Sequence, residues 1–196
     1  ARPVVHTFNT HQVFNDSVQL DLFHQDIATA MPVTGLDVVI IAALFEDHSD
    51  TEAVLDALRR NIEYLKDKRV IYISSDAVFD GRKGMYSEED SPSPLTSYGK
   101  NKLLCEETIR TSLPDHCIVR TSYIYGHSLG SLDPRLAKAR QHVQAGQAFE
   151  RFDDMYKSPI EVRQLADAIV ALSKMSFRGV IHVAGERMSV FEFYRR

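Results

Sequence analysis

Two short runs of branched apolar residues most narrow what this chain can become. Leu36-Asp37-Val38-Val39-Ile40-Ile41-Ala42-Ala43 is almost continuously apolar, and Val70-Ile71-Tyr72-Ile73 repeats the pattern thirty residues later. A strand exposed on one face alternates polar and apolar residues, whereas an unbroken β-branched run marks a strand covered on both faces of a parallel sheet. Between the runs, Asp50 to Lys66 reads as an amphipathic helix, with Asp50 or Thr51 as its cap and Val54, Leu55, Leu58, Ile62 and Leu65 at helical spacing.

The same alternation continues. Val4 to Phe8 and Leu20-Asp21-Leu22 are brief strand candidates, and Gln25 to Met31 is a helix candidate closed by Pro32. Ser97 to Ser112, Leu132 to Ala145 and Glu161 to Lys174 read as helices, with strands at Cys117 to Thr121 and Gly179 to Val183. Strands alternating with helices predict an α/β fold with a doubly wound, Rossmann-type parallel sheet.

Composition excludes several classes. The 196 residues carry a net charge of −4, which leaves no basic field for nucleic acid. No apolar run approaches the roughly 18–20 residues that span a bilayer, so no membrane association is expected. Two cysteines make no disulfide framework, and the eight histidines show no zinc-ligand spacing, so no metal is expected. His182, within an apolar strand, reads as a core residue, and a cytoplasmic location fits the whole pattern.

The strand at Arg69 ends in Ser74-Ser75-Asp76, and Tyr98-Gly99-Lys100-Asn101-Lys102 opens the helix that follows. Tyr98 and Lys102, at i and i+4, share one helix face. A phenol titrates near 10 in water, and an adjacent ammonium favours its ionised form. With a serine hydroxyl to polarise a carbonyl, the three groups suit proton delivery to an oxygen whose carbon receives a hydride. Tyr-x-x-x-Lys alone is weak evidence, since it recurs at Tyr64 to Lys68. That copy ends a helix with no hydroxyl-bearing strand before it, and reads as a solvated face.

Context makes the stronger case. Tyr72-Ile-Ser-Ser-Asp-Ala-Val-Phe-Asp-Gly81, Tyr86-Ser-Glu-Glu-Asp90, Tyr98 to Lys102, Arg120-Thr-Ser-Tyr-Ile-Tyr-Gly126, Phe152-Asp153, Ser158-Pro159 and Gly179-Val-Ile-His-Val-Ala-Gly185 resemble the extended short-chain dehydrogenases/reductases. Within them the likeness is to the dTDP-4-dehydrorhamnose reductase branch, over roughly residues 4 to 194. The resemblance implies reduction of a 4-keto-sugar nucleotide with NADP(H) favoured over NAD(H). Ser75, Tyr98 and Lys102 would then be catalytic, and Asp21, Leu22, Ala42, Ala43, Tyr98, Lys102, Thr121 and Ser122 would bind the cofactor. Asp76, Phe79 and Asp80 would face the substrate.

The same resemblance implies one NAD(P)-binding domain over 1–196, with substrate-side segments around 76–96, 126–160 and 185–196. Its expected partner is a nucleotide-sugar, with a homodimer left open. Asp76 is followed by Ala77, so the acid pair of the related dehydratases is missing. The reductases usually carry Tyr at Ala77 and Trp at Tyr123, which leaves the sugar open. The first glycine is Gly35, and no glycine-rich pyrophosphate loop is present. Val4 to Asn9 therefore reads as the second strand of such a fold, and the chain as a part of something longer. After it, Asn9-Thr10-His11 holds no acid for an NAD ribose, a lean toward NADP. Two alternatives stand beside the reductase: an epimerase of the same fold, and a non-catalytic regulatory subunit like that of methionine adenosyltransferase.

Overall fold

The computed structural model describes residues 4–9, 12, 14–42, 48–128 and 130–195. The first elements are short: strand β1 (Thr7–Phe8), strand β2 (Val18–Gln19) and helix α1 (Ile27–Ala30). The strand expected at Leu20-Asp21-Leu22 lies two residues earlier. Asp21 folds its carboxylate back onto the Phe23 amide (3.0 Å) and the His24 ring (2.9 Å), which turns the chain there.

The apolar run becomes β3 (Val38–Ile41), followed by α2 (Thr51–Ile62) and a 3-10 turn at Glu63–Leu65. Asp50 caps α2 by accepting from the Glu52 and Ala53 amides. Next come β4 (Arg69–Ser75), a 3-10 turn at Asp76–Val78, α3 (Ser97–Ser112) and β5 (His116–Thr121). The second half holds β6 (Ile124–Tyr125), β7 (His127–Ser128), β8 (Ser131–Leu132), α4 (Pro134–Gln144), β9 (Tyr156–Lys157) and β10 (Ile160–Glu161). It closes with α5 (Val162–Leu172), β11 (Gly179–His182), β12 (Met188–Ser189) and α6 (Val190–Arg195).

Strands β11, β5, β4 and β3 form one parallel sheet in that order. Both faces are covered. Val70, Tyr72 and Ile118 pack with Val54, Leu58, Cys105 and Ile109 of α2 and α3. The alternate residues Ile71, Cys117 and Val119 pack with Leu165 and Leu172 of α5 on the other face. The result is three layers, helix–sheet–helix, as the unbroken apolar runs predict. Strands β1 and β2 pair with each other, and β3 is the outer strand of the larger sheet among the described residues, with Ile40 47% exposed.

Candidate active site

The site lies at the C-terminal ends of the parallel strands, where open α/β sheets bind ligands. Ser75 ends β4 opposite Thr121, which ends β5. Ser75 also caps the 3-10 turn, its hydroxyl accepting from the Ala77 amide at 3.1 Å. On the helix side, Thr96 caps α3 by accepting from the Gly99 amide at 3.0 Å. Gly99 has a second role. A Cβ there would lie 2.1 Å from the Ala77 carbonyl oxygen, so only glycine lets the start of α3 touch the turn after Ser75. That contact seats the first turn of α3, which bears Tyr98, against the turn that follows Ser75, 23 positions earlier in the chain.

Lys102 is 4% exposed. Its ammonium donates to the Ile73 carbonyl at 2.8 Å and lies 4.8 Å from the centre of the Tyr72 ring and 5.7 Å from that of Tyr98. A buried ammonium needs such partners, because leaving water costs it several kcal/mol. One turn on, Glu106 forms a buried bidentate pair with Arg120 of β5 (2.7 and 3.0 Å) and accepts from Ser74 at 2.5 Å. This locks α3 to the two central strands directly beneath the candidate site.

Asp76 collects the remaining polar groups. Its Oδ1 faces the Ser75 hydroxyl at 3.3 Å, while Oδ2 accepts from Ser122 at 2.8 Å and from the Lys157 ammonium at 2.9 Å. Ser122 in turn accepts from the Ser158 amide at 3.3 Å. The segment at β9 is thus tied to the end of β4 by two adjacent residues.

Phe79 and Asp80 sit in the loop that follows. Phe79 is buried, stacked on Tyr86 (4.3 Å), with the Arg120 guanidinium 5.1 Å away and His182 edge-on at 5.7 Å. Asp80 accepts from the Tyr86 hydroxyl at 2.5 Å and the Arg82 amide, and these bonds hold its carboxyl below the usual carboxylate range. Glu88 accepts from the His182 amide at 2.8 Å and fastens the loop to β11.

The residues expected to hold a dinucleotide follow the same edge. Asp21 and Leu22 come just after β2, Ala42 just after β3, and Thr121 and Ser122 at the end of β5; Ala43 lies outside the described residues. Asp21 spends its carboxylate on its own turn, and Arg60 of α2 holds the Leu22 carbonyl at 2.8 Å. Ala42 is exposed. The Thr121 hydroxyl is buried with no hydrogen-bond partner among the described residues. Buried hydroxyls are normally satisfied, so an orphan at the strand ends fits a bound group that supplies the partner.

Residues 24–196 match the RmlD substrate binding domain. The chain belongs to that family. It is 36% identical to the dTDP-4-dehydrorhamnose reductase of Salmonella typhimurium over 126 residues, 59% of this chain and 40% of that protein. The crystal structure of a hypothetical dTDP-4-dehydrorhamnose reductase from Sulfolobus tokodaii superposes with TM-score 0.84 at 33% identity, covering 99% of this chain and 72% of that one. The Bacillus anthracis reductase, crystallised with NADP, shares the fold at 23% identity and TM-score 0.70, over 81% of this chain and 60% of that one. The chain spans about half the length of the curated relatives it matches, between 40% and 58% for the first two.

Within this RmlD-type domain, pattern reading passes over Gly99, Glu106 and Lys157. Gly99 left a trace, since a glycine inside the first turn of a helix marks a close approach. Lys157 left none: it meets Asp76 from 81 residues away.

Proposed function

We propose that the full protein reduces a 4-keto-sugar nucleotide with NADPH. The observation that carries this reading is the burial of Lys102 between the Tyr72 and Tyr98 rings, at the end of the strand that bears Ser75. A lysine serving only as a helix-surface partner would keep its ammonium in water.

A bound nicotinamide would supply the hydride that the carbonyl carbon of the substrate accepts. Ser75 donates a hydrogen bond to the carbonyl oxygen and polarises it. Tyr98 gives that oxygen its proton as negative charge develops there. Lys102 would hold the cofactor ribose, and it keeps positive charge beside the phenol. Thr121 and Ser122 would hold the nicotinamide end, and Asp21, Leu22 and the backbone at Ala42 the adenine side. Asp76, Phe79 and Asp80, in the segment 76–96, form the sugar side together with the segments 126–160 and 185–196. The lack of an acid after β1 supports NADP over NAD.

The test is turnover of full-length protein mixed with NADPH and a 4-keto-sugar nucleotide. A reductase consumes one reduced cofactor per product, whereas an epimerase needs none added. Cofactor binding with no consumption and no epimerised product would sink both enzymatic readings and leave the regulatory one. Tyr98→Phe should abolish turnover while NADPH still binds; unchanged turnover would refute the assigned acid.

A further inference from the structure

Lys157 meets Asp76 beside Ser75, and this meeting decides what the serine hydroxyl can do. The Ser75 oxygen already accepts from the Ala77 amide, so what it can offer a carbonyl is its proton. That proton faces Asp76 Oδ1 across 3.3 Å, longer than the 2.5–3.0 Å of a firm O–H···O bond. The other oxygen, Oδ2, is held by the Ser122 hydroxyl and the Lys157 ammonium at 2.8 and 2.9 Å. The carboxylate is therefore drawn toward the β9 segment and away from the serine.

We infer that Lys157 is a positioning residue for Ser75: by pairing with Asp76 it keeps the serine proton available to the substrate carbonyl. It also offsets a negative charge that would oppose the oxyanion forming a few ångströms away. This rests on the reductase reading above. Without Lys157, Asp76 becomes a better acceptor for the Ser75 proton and an uncompensated anion beside the reacting oxygen. The pair itself is partly exposed, 43% and 35% at the two side chains, and such pairs add little to folding stability. Its effect therefore falls on the chemical step.

A double-mutant cycle in the full-length protein separates these roles. Lys157→Met should lower kcat about tenfold with KM within about twofold and Tm nearly unchanged, a smaller loss than the roughly 10²–10³ of removing an oxyanion donor outright. Lys157→Arg should keep most of kcat. In an Asp76→Asn background, where no charge needs holding, Lys157→Met should change kcat by less than about twofold. The same tenfold loss in both backgrounds would overturn the inference, as would an unchanged kcat in Lys157→Met alone.

A structure of the Lys157→Met variant gives a second reading that needs no turnover. Ser75 Oγ should close on Asp76 to within about 3.0 Å, and a separation that stays at 3.3 Å would count against the proposal. If the parent protein consumes no NADPH, the reductase reading fails on that result alone, and the Ser75–Asp76 distance still judges this one.

Discussion

At the scale of single residues, the site depends on contacts that tolerate little change. Gly99 is the clearest case, because a methyl group there would meet the Ala77 carbonyl oxygen at 2.1 Å, a backbone atom with no freedom to swing aside. Gly99→Ala should push the start of α3 away from the Ser75 turn and cost about 1–3 kcal/mol of stability, as overpacking does. Urea unfolding measures the cost, and proposed turnover should fall further than Tm, because Tyr98 moves with the helix end. Arg120 makes a second case. Its guanidinium and the Glu106 carboxylate are 6% and 4% exposed, so Arg120→Met would strand a buried charge. The expected loss is about 3–5 kcal/mol, read from the shift in denaturant midpoint.

Secondary-structure elements explain why one Tyr-x-x-x-Lys pair reads as a site and the other does not. Tyr98 and Lys102 begin α3, which is pinned by its Thr96 cap, by Gly99 and by Glu106, and Lys102 reaches the Ile73 carbonyl of β4 with the Tyr98 ring 5.7 Å from its ammonium. Tyr64 and Lys68 follow α2 instead. The Tyr64 hydroxyl donates to Asp26 at 3.3 Å, and Lys68 pairs with its neighbour Asp67 at 2.9 Å; the expected solvated face holds for Tyr64 but not for Lys68, whose side chain is 11% exposed. Tyr64→Phe should leave kcat within about twofold of the parent and shift stability by less than about 0.5 kcal/mol, the usual range for surface changes. A large loss of turnover in that variant would mean that the wrong pair has been assigned. The longer elements were legible beforehand: α3 spans the expected Ser97 to Ser112, and β4 the expected run with two residues added. Two-residue strands such as β9 and β12 were not, since their backbone bonds form only when distant segments meet.

For the whole molecule, carboxylates set the response to acid. Asp80 and Asp90 are held below their usual 3.8 by bonds from Tyr86 and Lys83, Asp133 by Arg135, and Glu88 below its usual 4.5 by the His182 amide. A group whose folded value is depressed stabilises the fold above its unfolded value and loses that contribution as pH falls through the folded one. Thermal stability should therefore be flat from neutral pH to about 5 and decline below about 4.5, where these groups begin to take up protons. Circular dichroism melts across that range would check it. A fall that began near pH 6 would point to histidine instead.

Local pattern was enough to indicate the parallel three-layer sheet, because a strand buried on both faces carries a short unbroken run of β-branched residues, and such runs alternate here with helical spacing. It was also enough to nominate Ser75, Tyr98 and Lys102, since cap, strand end and helix face are set by near neighbours in the chain. Only folding could show that Gly99 closes the gap between α3 and the Ser75 turn, that Glu106 and Arg120 brace the floor beneath them, and that Lys157 arrives to hold Asp76. Those contacts join positions from 14 to 81 residues apart. Sequence spacing carries no record of them, because they are created by the packing of the layers and not by the periodicity of any one element.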